Sequence, residues 1–248
     1  MFKKEINCEI CNIDKVSYKI ELTLKHNFID NFVNLPNELR KHKVNPLYVC
    51  GDCFFFIKKL EAKNPDKIKC KKLKLDKIPE KFIFSNFIYE IKFYGIRAMI
   101  KAWLERLSHK VSWIEANGLD EWLLSEIAKI DLNFKQLYKE YVVNEYLSID
   151  DTELDRIKSE LKNYLVDRYT NIEKLNFLWK QLKYIFSKYG DFYKYDIPIS
   201  INGKEWNNLV ENLKIFFNTV DKKDNPICVI QTKDILIKFY KNIFAFWW

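Results

Sequence analysis

Two short stretches decide the fold: "CEICN" at residues 8–12 and "YVCGDCFFF" at residues 48–56. Each holds two cysteines separated by two residues, Cys8 and Cys11 in the first and Cys50 and Cys53 in the second. Two intervening residues let one tight turn present both sulfurs to a single ion. A second such pair completes a tetrahedron of thiolates, the coordination that zinc prefers. Four thiolates leave no open position, so the zinc is expected to be structural. A redox dithiol would appear once, ahead of a helix in a βαβ setting, and the chain has no such pattern. The remaining cysteines, Cys70 and Cys228, are read as buried free thiols.

The sequence around the pairs predicts a small β-rich module closed by a helix. "VSYKIELTL" (16–24) alternates: Val16, Tyr18, Ile20, Leu22 and Leu24 share one face, and Ser17, Lys19, Glu21 and Thr23 the other. "PNELRKHK" (36–43) reads as a short helix, with Pro36 near its first turn. Cys53, Phe56, Ile57 and Leu60 then recur at helical spacing, so the second pair opens a helix. The 38 residues at 12–49 between the pairs leave room for a treble clef, in which a knuckle, a hairpin and a helix N-terminus share one zinc.

Residues 8–60 resemble the frame of HNH endonucleases, in those members that carry two Cys pairs around their catalytic residues. The resemblance rests on the two pairs, on His26 after the first and on Asn45 ahead of the second, in "NPLYVC". It implies His26 as general base on water and Asn45 as the group that orients it, with a hard cation on the phosphate. Phe54 stands where the family places a His or Asn ligand. The frame therefore reads as degenerate, and no catalytic residue is assigned.

Beyond residue 63 the chain changes character. "KNPDKIKCKKLKLDKIPEK" (63–81) is a basic extended connector bracketed by prolines. Residues 1–85 carry 18 Lys/Arg against 11 Asp/Glu, which accounts for +7 of the chain's net +8. Such asymmetry points to an anionic partner, DNA or RNA. The candidate phosphate contacts are Arg40, Lys41, Lys43, Lys67, Lys69, Lys71, Lys72 and Lys74.

From residue 85 onward the pattern is helical. One long helix is expected from Ser85 to Asn117-Gly118, with Ile88, Ile91, Tyr94, Ala98, Trp103, Leu107 and Ile114 as its apolar stripe. Helices follow through "EWLLSEIAKI", "NFKQLYKEYVVNEYL" and "DDTELDRIKSELKNYLVDRY", with a break near Thr170-Asn171 and an end at Gly190. Two short strands are expected at "DIPISI" (196–201) and "PICVIQ" (226–231). The fold class is thus α+β and predominantly α. A zinc module spans 1–63, a basic connector 64–84 and a helical domain 85–248, which ends in a minor two-stranded element.

The start "MFKKEINCEI" lacks the apolar run of a secretory signal, and no stretch approaches a membrane span. An intracellular protein, cytoplasmic or nucleoid-associated, without a membrane partner is expected. The leading reading is a zinc-stabilised nucleic-acid-binding regulator or accessory factor. The alternatives are a metal-dependent HNH-like nuclease and a protein-binding adaptor. The terminal "IFAFWW" (243–248) would serve the adaptor as a patch for a partner or a dimer.

Overall fold

A computed structural model describes residues 7–24, 46–75, 94–148, 150–195, 197–198, 201–219 and 226–246. The expected helix at 36–43, the candidates His26, Arg40, Lys41, Lys43 and Asn45, the cap Ser85 and the terminal Trp247 and Trp248 lie outside the described residues. The chain is predominantly helical, with nine α-helices among the described residues and one three-stranded antiparallel sheet. It divides into two compact units, residues 1–79 with 125–160, and residues 80–124 with 161–248.

Unit 1 holds the sheet, in the order β2-β1-β3, from β1 (Tyr18–Leu24), β2 (Leu47–Val49) and β3 (Ile68–Leu73). Tyr18 pairs with Val49 and Ile20 with Leu47 on one side of β1, and Leu22 pairs with Cys70 on the other. The alternation read from the sequence holds. Ile20 and Leu22 are buried, while Ser17 and Thr23 are exposed, as a sheet packed on one face requires. Helix α1 (Gly51–Lys63) buries Cys53, Phe56, Ile57 and Leu60.

Strand β3 falls within the expected connector and forms an edge of the sheet. Its outer backbone is not left open. The Cys70 N–H donates to Glu61 (2.9 Å) and the Lys58 ammonium donates to the Cys70 carbonyl (3.0 Å). Helix α1 thus covers the middle of the strand with its own side chains.

The same unit takes in residues far along the chain. Helix α5 (Leu132–Leu147) packs on α1 and sends Val143 and Leu147 into the core that contains the cysteines. Asp131 caps it, accepting from Asn133 N–H and Phe134 N–H (3.1 Å each).

In unit 2 the described part of the expected long helix, residues 94–118, is broken at Gly95, which takes φ 83°, and again after His109. Helix α2 (Ile96–His109) ends where Lys110 adopts φ 63°, and α3 (Trp113–Asn117) begins after Ser112. The second break is a capping box. The Ser112 hydroxyl accepts from Ile114 N–H (3.2 Å) and Glu115 accepts from Ser112 N–H (2.8 Å). The pattern Ser-x-x-Glu at 112–115 is legible in the sequence. Gly118 caps α3 at φ −110° and not in the left-handed conformation.

Helices α4 (Leu119–Ile130) and α6 (Asp151–Tyr169) each straddle a unit boundary. Asp150 caps α6 through Thr152 N–H (3.1 Å), and the break at Thr170-Asn171 lies where the sequence places it. Helices α7 (Trp179–Tyr189), α8 (Gly203–Thr219) and α9 (Pro226–Lys241) pack in sequence. Their core is aromatic. Phe186 stacks on Phe217 (4.9 Å), and Phe246 closes on Trp206 (4.7 Å) and Phe239 (5.1 Å). Its hydroxyl and indole donors are paired, Tyr193 with the Ala116 carbonyl (2.5 Å) and Trp206 with the Tyr193 carbonyl (2.6 Å).

The expected C-terminal two-stranded element is absent among the described residues. Residues 226–231 open helix α9, and 197, 198 and 201 are not strand. "PICVIQ" has strand-like residues, but proline at the first helical position needs no N–H partner and has φ preset for a helix.

Candidate metal centre

Each pair of cysteines is presented by a different piece of local structure. Cys8 and Cys11 sit in a knuckle. The Cys8 N–H donates to the Asp14 carbonyl (2.7 Å) and the Asn12 N–H to the Cys8 carbonyl (2.9 Å). Asn12 takes φ 51°, a left-handed turn that asparagine tolerates, and Asn7 bridges to Lys15. Cys50 is the N-cap of α1 and Cys53 lies in its first turn, where free backbone N–H groups favour a thiolate.

The four sulfurs converge. All are buried and lie within 4.8 Å of one another, and Cys11 Sγ is 3.8 Å from Cys50 Sγ. A zinc–sulfur bond of about 2.3 Å sets the edge of a tetrahedron at roughly 3.8 Å. The donor set and its spacing are therefore compatible with a metal ion such as zinc. Four thiols so close cannot all ionise without a cation. Hydrogen bonding from Cys50 holds the Cys11 thiol below its ordinary value, and Cys11 in turn pushes Cys53 above it. Cys70 is buried but is not one of the four, and burial raises its thiol to about 11.

Around the sulfurs lies a network that the sequence reading missed. Lys139 of α5 has no solvent exposure, and its ammonium bonds both Asp14, in the knuckle, and Asp52, between Cys50 and Cys53. Burial alone would lower its pKa, but the two carboxylates outweigh it and raise it. Lys135 pairs with the same Asp14 (2.5 Å), and Gln136 donates to Asp52 (3.3 Å). Lys59 to Glu140 (2.8 Å) and Lys63 to Glu153 (3.4 Å) extend the contact between α1 and the later helices. No local signal marks it: the neighbours of Lys139 on α5 include Lys135, Gln136 and Glu140, so in the sequence it reads as one more polar position.

Of the aromatics beside the second pair, Phe54 stacks on Tyr18 (4.5 Å) and Tyr48 is buried, whereas Phe55 is exposed. Lys72 lies over the Tyr18 ring at 4.5 Å, a cation–π contact. Lys67, Lys69, Lys71, Lys72 and Lys74 are all exposed along β3 and its flanks. The charge asymmetry of the linear sequence is reduced in three dimensions. Residues 125–160 bring five Lys/Arg and nine Asp/Glu into unit 1, whose net charge is +3, while unit 2 carries +5. Of the other histidines, His42 is not described and His109 stacks on Tyr184 at 3.8 Å. Comparison of the chain with protein-family models, with curated proteins and with solved structures returns no match.

Proposed function

We propose that the chain is a zinc-stabilised nucleic-acid-binding protein, whose N-terminal module is a treble clef that presents the β3 edge to a phosphate backbone. The observation that carries this reading is the run of exposed lysines on β3 beside a closed four-cysteine site. The site offers no open coordination position, which suits a scaffold and not a catalyst. Alternate side chains of a strand project to one side, so Lys69 and Lys71 stand together. Lys67 and Lys74 continue the cationic line at its ends. Phe55, exposed on α1, supplies a ring on which an unpaired base can stack.

The test uses the full chain and labelled single-stranded DNA, duplex DNA and RNA of mixed sequence, read by fluorescence anisotropy as salt is raised. Four lysine–phosphate contacts, from Lys67, Lys69, Lys71 and Lys74, give a logarithmic salt slope of about −3 to −4, and Lys69→Ala or Lys71→Ala lowers it by about 1 each. Failure to bind any of the three at low salt removes the reading. Metal analysis tests the scaffold separately. About one zinc per chain is expected, unchanged in Cys70→Ala and lost in Cys53→Ala.

A further inference from the structure

Helix α2 is mounted with its more apolar face outward. Toward unit 2 it turns Met99, Ala102 and the carboxylate of Glu105. Ile96, Ile100, Trp103, Leu104 and Leu107 are each 52–62% exposed. At 3.6 residues per turn these five fall within an arc of about 100°. Hydrophobic burial alone would rotate the helix by half a turn. Glu105 holds it where it is, accepting from Trp113 N–H (3.0 Å), the Tyr189 hydroxyl (2.6 Å) and the Lys188 ammonium (3.1 Å). Rotation would strand three donors and expel the carboxylate that satisfies them.

The exposed charges that the helix and its C-terminal end carry have one sign. Arg97 and Lys101 on the helix and Lys110 at its C-terminal end are exposed, and the helix's one acid, Glu105, is buried. We propose that this face docks in plane on an anionic lipid surface. The apolar stripe enters the boundary between headgroups and acyl chains, Trp103 lies at headgroup level, and Arg97, Lys101 and Lys110 meet the lipid charges. A second copy of the chain fits poorly, because self-docking would set like charges against each other. A bilayer accepts a single convex ridge, whereas a protein partner would need an apolar trough with an acidic rim. Among the described residues no helix is long and apolar enough to cross a membrane. A helix lying in the plane does not need to, so the absence of a spanning segment, on which the expectation of no membrane partner rests, does not bear on it.

The experiment mixes the full chain, freed of nucleic acid, with sedimentable vesicles of phosphatidylcholine alone or with about 30 mol% phosphatidylserine. Co-sedimentation with the anionic vesicles only, falling as salt rises, is expected. Ile100→Ser/Leu104→Ser/Leu107→Ser abolishes it, and Arg97→Ala/Lys101→Ala weakens it roughly 30-fold. Both variants keep the wild-type far-UV spectrum and thermal transition, since the replaced side chains are exposed. Lys69→Ala/Lys71→Ala leaves vesicle binding unchanged, which separates this face from the β3 edge. Absence of sedimentation overturns the proposal, as does undiminished sedimentation of the triple serine variant. A concentration-dependent dimer that the serine variant abolishes, without vesicle binding, also overturns it and assigns the face to a second copy.

Discussion

Removing the two carboxylates around Lys139 is expected to destabilise unit 1 more than removing the lysine itself. The lysine has no exposure, whereas the Asp14 and Asp52 side chains are 31% and 43% exposed. In Lys139→Met the carboxylates keep partners in Lys135 and Gln136 and reach water, so the loss is about 1–2 kcal/mol. In Asp14→Asn/Asp52→Asn a buried ammonium is left without a counter-charge, and the loss is about 3 kcal/mol or more. Adding Lys139→Met to that double variant then restores stability, because no charge remains to be desolvated. Native-state hydrogen exchange of peptides within Leu132–Leu147, at saturating zinc, reports this unit separately from unit 2. Exchange should quicken about 10-fold in Lys139→Met and at least ~100-fold in the double asparagine variant. It should slow again in the triple variant. A triple variant that exchanges faster than the double would refute the reasoning, since Lys139 would then be stabilising by packing and not by charge.

Two further predictions concern unit 2. Burial alone would raise the Glu105 carboxyl, but the donors Tyr189, Lys188 and the Trp113 N–H outweigh it and hold it below its ordinary value of 4.5. Its contribution is thus fully present above that value and is lost as pH falls through the lower, folded-state value. Thermal unfolding from pH 6 to 3 should show an acid-linked decline that is shallower in Glu105→Gln, whose Tm is also lower at pH 6. Gly190→Ala should destabilise by about 1–3 kcal/mol in urea titrations. A methyl there would lie 2.4 Å from the Phe186 carbonyl oxygen and 2.7 Å from Lys214 Cγ.

The parts of the fold legible in the sequence are those written in local periodicity. The alternation of residues 16–24, the paired cysteines and the helix opened by Cys50 all follow from neighbours a few positions apart. The break after Lys110 was also local, in Ser112 and Glu115, but a stripe drawn from Leu107 to Ile114 runs across it. What the sequence could not reveal is long-range. Nothing near Lys139 says that Asp14 and Asp52 await it, more than 80 residues earlier. The orientation of α2 was misread for a related reason. Its stripe includes Trp103 and Leu107, which turn outward because Glu105 finds its donors on Trp113, Lys188 and Tyr189. Likewise the surplus charge of the first third is a property of the linear chain, and residues 125–160 offset part of it on folding.

The discontinuity of unit 1 also sets an order of events during synthesis. Cys53 leaves the ribosome 86 residues ahead of Lys139, so Lys139 follows the last of the four clustered cysteines by about 4–17 s at ordinary elongation rates. During that interval all four cysteines of the candidate metal centre are available, while Asp14 and Asp52 face water and the seat for Val143 and Leu147 is unfilled. A nascent chain that takes up zinc early therefore carries an anionic, partly apolar socket, and the arrival of α5 both neutralises and covers it.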